Sequence, residues 1–543
     1  MTFLKIPRMN SKMMSQPTSV HSVLNLGLGL NDQMDASQIA DAEVADCENF
    51  SIEEGTLSTA PGFSLWDDDS TNYGPFWGSV TFTKSTGVAL DVRQRQDKLE
   101  YALGGGSIWQ TCTLPTVGSP AYTISLDQVP CTFAHLNDIL LFANGQYVLS
   151  STDGKTWTNQ PTLPLCRVVF NNGKNRILFL NQPNSPYRFD WCDINTPLTV
   201  NAASYEMVDP NNDGNVIGAG KTPDGTTLIF KEGAVYSVAD IVDNGMVDIN
   251  FLGNITLLTH QTIATTENSV IWIGYAGVFE YISGVIRLIS GRINWVGRND
   301  VSITGTCCAA YYNFKYHFSI PDRTLSEYYN CQEYIIYKNL SRNDTVQPYP
   351  ITRNRRYIGC YNVADYSDPY EGGRDISLMI YDSRSEAQMP TSGSPAVTDI
   401  PISAFVNDYR ETAYINYGVQ DCYFVTKYFN ENVAYYVKKY RKLFANMKLF
   451  QSTTITLSYR FVPYGQWKDT TVDVLAEMVK FLEGYEFSEG YGFAQDTLGA
   501  VFIDINNPEK PRGIQFKFAV STTKDISYLS LAHNYIVKST KFK

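Results

Sequence analysis

Residues 214–238 read G-N-V-I-G-A-G-K-T-P-D-G-T-T-L-I-F-K-E-G-A-V-Y-S-V, and residues 268–290 read N-S-V-I-W-I-G-Y-A-G-V-F-E-Y-I-S-G-V-I-R-L-I-S. The two lines are built alike. Each has a four-residue apolar run (227–230; 270–273), a short turn with a glycine (Gly233; Gly277), and a second, alternating run (234–238; 278–282). Two such runs joined by a glycine-bearing turn predict a β-hairpin. Recurrence of the hairpin predicts a repeat fold.

Working outward, the same unit recurs on both sides. Residues 98–103 lead through Gly104, Gly105 and Gly106 into 107–110, and residues 138–142 lead through Asn144 and Gly145 into 146–149. Residues 176–180 lead into 187–191, and residues 314–320 and 377–381 begin two further units. Successive starts lie roughly 40 to 60 residues apart, near the period of a four-stranded propeller blade, which predicts about six or seven blades. Composition agrees: 36 Tyr and 28 Phe favour strands, and 38 Gly supply turns. The segment Ser151-Thr152-Asp153-Gly154-Lys155-Thr156-Trp157 adds an independent pointer. It resembles the Asp-box turn of propeller families, one residue shorter than S-x-D-x-G-x-T-W. Its aspartate would accept backbone N–H bonds and its tryptophan would fill the blade. That motif marks a propeller, not an activity.

Composition bounds the rest. The chain of 543 residues is long enough for several domains. It holds no apolar run long enough for a transmembrane helix. The first twenty residues carry Lys5, Arg8 and Lys12 without an apolar core, so a secretory signal is not expected. The ten cysteines include no C-x-x-C, and free, buried thiols are expected; Cys307-Cys308 reads as a buried strand pair. Charge is uneven: 43 basic against 55 acidic residues give −12, yet residues 401–543 hold 17 Lys/Arg and 14 Asp/Glu. An acidic propeller is a poor binder of a phosphate backbone and suits a surface past which DNA slides, while ordinary solubility charge accounts for the balance equally well.

The expected organisation is an N-terminal arm and lead-in segment over 1–64, with a short helix at 37–49 capped by Ser37. A β-propeller follows over 65–382, a polar linker over 383–400, and a β-rich, sandwich-like module over 401–543. In that module residues 448–450, 453–461, 513–520 and 527–537 read as strands; 472–482 suits either helix or strand. The fold class is all-β.

Residues 26–63 contain L-G-L-G-L-N-D, then A-D-A-E-V-A-D-C-E-N-F, then E-G-T-L-S-T-A-P-G-F. This resembles the opening of tail proteins of short-tailed bacteriophages, in which a "GLN" segment precedes an acidic and alanine-rich stretch, "xEN" and "GxLxxRPG". Leu28, Asn31, Ala42, Glu43, Ala45, Glu48, Asn49, Gly55, Leu57, Pro61 and Gly62 fit the pattern, while Ala60 stands where an arginine is common. L-I-F-K-E-G-A-V-Y-S-V and G-Y-A-G-V-F-E-Y-I-S-G resemble blade motifs of the same family. Tyr440-Arg441-Lys442-Leu443, T-L-S-Y-R-F and I-Q-F-K-F resemble its C-terminal module.

The resemblance implies the tail nozzle, or packaged-DNA stabilisation, family. It implies a structural virion protein in the tail: a homohexameric ring below the portal and adaptor rings that docks tail fibres or a needle. Such a ring retains packaged DNA, opens for ejection, and meets the genome only in passing, without sequence specificity. A propeller serving as an interaction platform is the alternative, and a glycan-cleaving propeller enzyme the other.

Two basic clusters stand out as DNA or interface candidates: Arg353, Arg355 and Arg356, and Lys438, Lys439, Arg441 and Lys442. Interleaved tyrosines allow a nucleic-acid reading; in an oligomer, pairing with acidic neighbours is the commoner use. Asp209-Pro-Asn211-Asn-Asp213-Gly214 matches the first half of a calcium loop, but Gly220 replaces the completing glutamate, and an Asx-rich turn is the simpler reading. Five histidines lie at no zinc spacing, and no G-x-S-x-G or P-loop occurs, so no catalysis, cofactor or metal is expected.

Overall fold

The computed structural model describes residues 18–24, 26–53, 55–60, 64–65, 75–104, 108–117, 122–211, 214–238, 241, 247–298, 307–321, 330–338, 350–353, 358–367, 374–382, 405–407, 420–431, 436–449, 453–462, 465–474, 497–505, 511–522 and 526–538. They form two units. One comprises residues 30–33 and 60–420, the other residues 1–29, 34–59 and 421–543.

The first unit is a β-propeller of seven four-stranded antiparallel sheets. The first blade is Phe76–Thr83, Ala89–Arg95, Lys98–Leu103 and Gln110–Thr111; the second is Thr132–Leu136, Ile139–Ala143, Val148–Ser151 and Thr158–Asn159. The third is Val168–Asn171, Ile177–Leu180, Arg188–Trp191 and Tyr205–Met207; the fourth is Val216–Lys221, Thr227–Lys231, Val235–Val238 and Ile249–Gly253. The fifth is Ala264–Thr265, Val270–Gly274, Gly277–Ile282 and Val285–Leu288; the sixth is Cys308–Tyr312, Lys315–Pro321, Asn330–Tyr337 and Pro350–Arg353. The seventh takes Ile358–Ser367, Arg374–Asp382 and Phe405–Asn407 and is completed by Ser64–Leu65, so a strand from early in the chain finishes the last blade.

The apolar runs read from the sequence are the second strands. Ile177–Leu180, Thr227–Lys231, Val270–Gly274 and Lys315–Pro321 are buried at every position. A strand covered on both faces by neighbouring blades favours a continuous apolar run, as at 177–180, 228–230 and 270–273, whereas Lys315–Pro321 buries the polar Lys315, His317 and Ser319 as well. First strands neighbour one another around the ring, and the seventh blade's lies beside the first blade's. At that closure Asn362 donates to Thr81 Oγ1 at 2.9 Å. The buried Arg93 guanidinium lies 3.7 Å from the Trp109 ring centre and also faces Phe76 and Tyr381.

The hub is occupied. The one-turn helix His260–Thr262 precedes the fifth blade, and its side chains reach several others. Gln261 Nε2 donates to the carbonyls of Trp77, in the first blade, at 2.5 Å and of Cys131, ahead of the second, at 3.2 Å. His260 Nδ1 accepts the Ala219 N–H of the fourth blade at 3.3 Å and packs edge-on against Phe170 of the third. The Tyr316 hydroxyl of the sixth blade donates to Thr262 O at 2.6 Å. Gly218 and Gly220 admit this turn: a Cβ there would lie 2.9 Å from Leu257 and 2.9 Å from Ile263 respectively.

The second unit is a sandwich of a six-stranded and a five-stranded sheet. Val437–Leu449, Thr497–Asp504, Ile526–Lys538, Ser19–Leu24, Phe50–Glu53 and Thr56–Thr59 form the first; Val44–Glu48, Gln420–Thr426, Gln515–Thr522, Thr453–Arg460 and Lys468–Val474 form the second. Phe424 packs on Tyr528 at 4.7 Å and on Phe518 at 4.9 Å, and Phe50 lies 5.4 Å from Phe424, so aromatics fill the space between the sheets.

Three expectations change. The helix expected at 37–49 is instead a turn followed by the strand Val44–Glu48, which pairs with Gln420–Thr426. The Asp35 carboxylate accepts the Ser37 N–H and hydroxyl, and Glu43 accepts the Ala40 N–H at 2.7 Å; these local bonds offer the backbone a turn in place of a helix. The lead-in segment is not separate, because most of it supplies sandwich strands. Phe405–Asn407, assigned by sequence to the C-terminal module, belongs to the seventh blade. Residues 383–400 and 475–482 lie outside the described residues, while 472–474 end the strand Lys468–Val474.

Candidate functional site

The basic strand Val437–Leu449 is the candidate that the structure describes best. Its burial alternates, with Lys438, Tyr440, Leu443, Ala445, Met447 and Leu449 inward. A register shift against Ile526–Lys538 falls between Tyr440 and Leu443, where a β-bulge leaves two successive residues, Arg441 and Lys442, exposed. Lys439, Arg441 and Lys442 therefore present three positive charges on a four-residue length of strand. Lys442 lies 3.8 Å from Asp504, with both side chains more than half exposed, so the pair adds little and leaves the patch basic.

Lys438 does something else. It is buried, and its ammonium donates to the carbonyls of Tyr436 at 3.2 Å and Arg512 at 2.5 Å. Burial pulls its pKa down, while Glu431 works to raise it. It is a structural tie rather than a surface charge. The other cluster divides as well. Arg355 and Arg356 lie outside the described residues. Arg353 ends the outermost strand of the sixth blade, in register with Glu333; in the fifth blade the same relation joins Glu280 to Arg287. The two basic clusters thus belong to different units.

Buried carboxylates, where a glycosidase would keep its machinery, are bonded within the fold. Glu100 accepts Arg93 Nε at 2.9 Å and Arg95 Nε at 3.0 Å. Burial works to raise its pKa, and the two arginines outweigh that and hold it below the usual range. Asp190 accepts Arg188 and Gln182. Glu280 accepts Ser269 Oγ, Arg287 Nε and the Lys338 ammonium. Glu333 accepts the Tyr361 hydroxyl at 3.2 Å beside His317, and Asp91 accepts Thr81 at 2.7 Å. Four of these acids, Glu100, Asp190, Glu280 and Glu333, lie on the third strands of their blades, which makes an internal ion pair a recurrent fastening.

The calcium-loop candidate is a pinned turn over its described part. Tyr236 donates to Asp209 Oδ2 at 3.1 Å, and the Lys231 ammonium donates to the Asp209 carbonyl at 2.8 Å, so a side-chain cation already serves the loop. Asn212 and Asp213 lie outside the described residues, among which no group of side chains could hold a metal ion. Nine of the ten cysteines, Cys307 and Cys308 among them, are buried and unbridged.

One cluster escaped the sequence reading. His21, Glu431 and His533 meet between the sheets of the sandwich, with Glu431 bonded to both imidazoles. No spacing rule joins residues so distant in sequence.

No protein-family model matches the chain, and no curated protein sequence matches it. Solved structures similar to it include YCF48 from Cyanidioschyzon merolae, 10% identical, covering 59% of this chain and 95% of that one with a TM-score of 0.32. The Dos1 propeller is 11% identical, covering 62% and 86% with a TM-score of 0.35. An exo-beta-1,3-galactanase from Phanerochaete chrysosporium is 9% identical, covering 88% and 99% with a TM-score of 0.27.

Proposed function

We propose that this chain is a structural subunit of a phage tail nozzle, one of six copies in a ring that continues the DNA channel, retains the genome and opens for ejection. The observation that carries this reading is the placement of the stretch resembling nozzle proteins. Leu30, Asn31 and Ala60 are buried in the propeller unit, and Val44, Cys47, Phe50 and Leu57 are buried in the sandwich. Asp32 receives the Asn294 N–H at 2.7 Å, and its own N–H donates to Arg292 O. The motif is therefore a framework element that serves both units, as expected of a scaffold. The net charge of −12 and the internal bonding of the buried acids support a surface that neither grips DNA nor cleaves glycan.

Light scattering and negative-stain imaging of the purified chain, alone and with its upstream tail ring, test the reading. A six-fold ring with a central hole, formed alone or on that partner, is the expected outcome. A monomer that ignores the ring and cleaves host glycan overturns it. A second reading, a platform that docks fibres, draws on the exposed apolar rim of three successive blades, with Tyr205, Met207, Phe251, Val285 and Leu288 at least 40% exposed.

A further inference from the structure

The strand Ser19–Leu24 is held by one partner strand and one polar cluster. It pairs antiparallel with Ile526–Lys538, and the register sets His21 directly opposite His533. Their rings stack 5.3 Å apart at 9°. The Glu431 carboxylate takes one bond from each imidazole: Oε2 lies 2.8 Å from His21 Nδ1, and Oε1 lies 2.6 Å from His533 Nε2. Glu431 and His533 side chains are each 1% exposed, and that of His21 is 23% exposed. His21 Nε2 lies 3.1 Å from Asp41, which also takes the Lys427 ammonium at 2.9 Å. Phe429, Phe516, Tyr440 and Tyr535 wall the cluster, and Lys438 is the remaining charge that faces Glu431.

We propose that His21, Glu431 and His533 form a proton-counting clasp on the N-terminal strand. It is closed when the three side chains together hold one imidazolium, and loosened when they gain or lose a proton. Charge balance requires this. One imidazolium neutralises the buried carboxylate. A second would stack two like charges face to face inside the sandwich, and none would leave the carboxylate next to Asp41 with no hydrogen-bonded cation and only Lys438 facing it.

The environments of the two histidines assign the states. The hydrogen bond to Glu431 is the main cause that raises His21 above its ordinary 6.5. Burial is the main cause that lowers His533, and Glu431 only partly offsets it. Burial works to raise Glu431, and its two histidine bonds outweigh this and hold it at about 2. His21, with its folded value raised, stabilises the strand fully below 6.5 and loses that contribution as pH rises through the raised value. His533, with its folded value depressed, stabilises it above 6.5 and loses that contribution as pH falls through the lowered value. Attachment is therefore strongest near neutrality and weakens on both sides. Loosening uncovers the strand edge from Ser530 to Tyr535.

Hydrogen exchange followed by mass spectrometry on the full chain at about pH 5, 7 and 9, corrected for intrinsic rates, tests the clasp. Peptides covering residues 19–24 are expected to lose about tenfold protection on either side of neutrality, while second strands of the propeller stay level between about pH 7 and 9. His21→Gln is expected to abolish the alkaline loss and keep the acid one. Asp41→Asn, a change at a half-exposed side chain, is expected to move the alkaline loss to lower pH, and it keeps the proposal testable if His21→Gln does not fold. Level protection across pH in the wild-type chain overturns the proposal, as does an alkaline limb that neither substitution alters.

Discussion

Lys438 shows how a charged residue can be assigned wrongly by composition and correctly by burial. Lys438→Met removes an ammonium from between two carbonyls in a buried position. It is expected to cost about 2 kcal/mol in urea unfolding, whereas Lys439→Met, at an exposed position, is expected to change stability by less than about 0.5 kcal/mol. Equal effects would refute the distinction. His260 carries the clearest pH dependence: burial holds it down at about 4, a neutral acceptor for the Ala219 N–H. Its folded value lies below the unfolded 6.5, so its contribution is complete above 6.5 and is lost as pH falls towards 4. The loss amounts to about 3 kcal/mol, and His260→Gln should flatten that acid limb in unfolding curves recorded across the window.

At the scale of the element, the Asp-box turn explains itself in bonds. Asp153 Oδ1 accepts the N–H groups of Lys155 at 2.8 Å and Thr156 at 2.7 Å and the Ser151 hydroxyl at 2.9 Å. Gly154 has φ +72, and a Cβ there would approach Leu90 of the first blade to 3.1 Å. Trp157 is 2% exposed and packs against Phe133 and Phe142. Asp153→Ala is expected to cost about 1–2 kcal/mol, and Trp157→Ala about 3–5 kcal/mol, both measured as shifts in the denaturation midpoint. A milder effect from the tryptophan than from the aspartate would contradict this account. The turn was legible because its bonds are local, and the second strands were legible because burial on both faces writes an unbroken apolar run. The stretch 37–49 was misread because Ile39, Val44 and Cys47 suit a helical stripe as well as a strand, and only pairing with Gln420–Thr426 decides between them. The clasp of His21, Glu431 and His533 was illegible for a related reason: strand register, not spacing, brings its members together. Of the basic candidates, the sequence groups Lys438, Lys439, Arg441 and Lys442 as one cluster, and only the strand's burial and its bulge separate the inward Lys438 from the three that face outward.

For the whole molecule, the seven-bladed ring is fastened at its rim by a strand from early in the chain and at its hub by the turn His260–Thr262. Gln261→Ala leaves the carbonyls of Trp77 and Cys131 without their cross-ring donor and is expected to lower stability by about 1–3 kcal/mol in thermal or urea unfolding. An unchanged midpoint would show that the spoke is dispensable. Blade number was approachable from sequence because each blade repeats one hairpin, while the hub was not, because its contacts join the turn ahead of the fifth blade to the first, third, fourth and sixth blades and to Cys131 ahead of the second. That spoke also bears on transport. A propeller whose axle is filled offers no bore to a polymer, so in the proposed ring a duplex would run between copies, as liquid runs between the staves of a barrel. The calibre of such a passage would follow from how many copies stand around it and how they lean, and the number of blades in each copy would leave it unchanged.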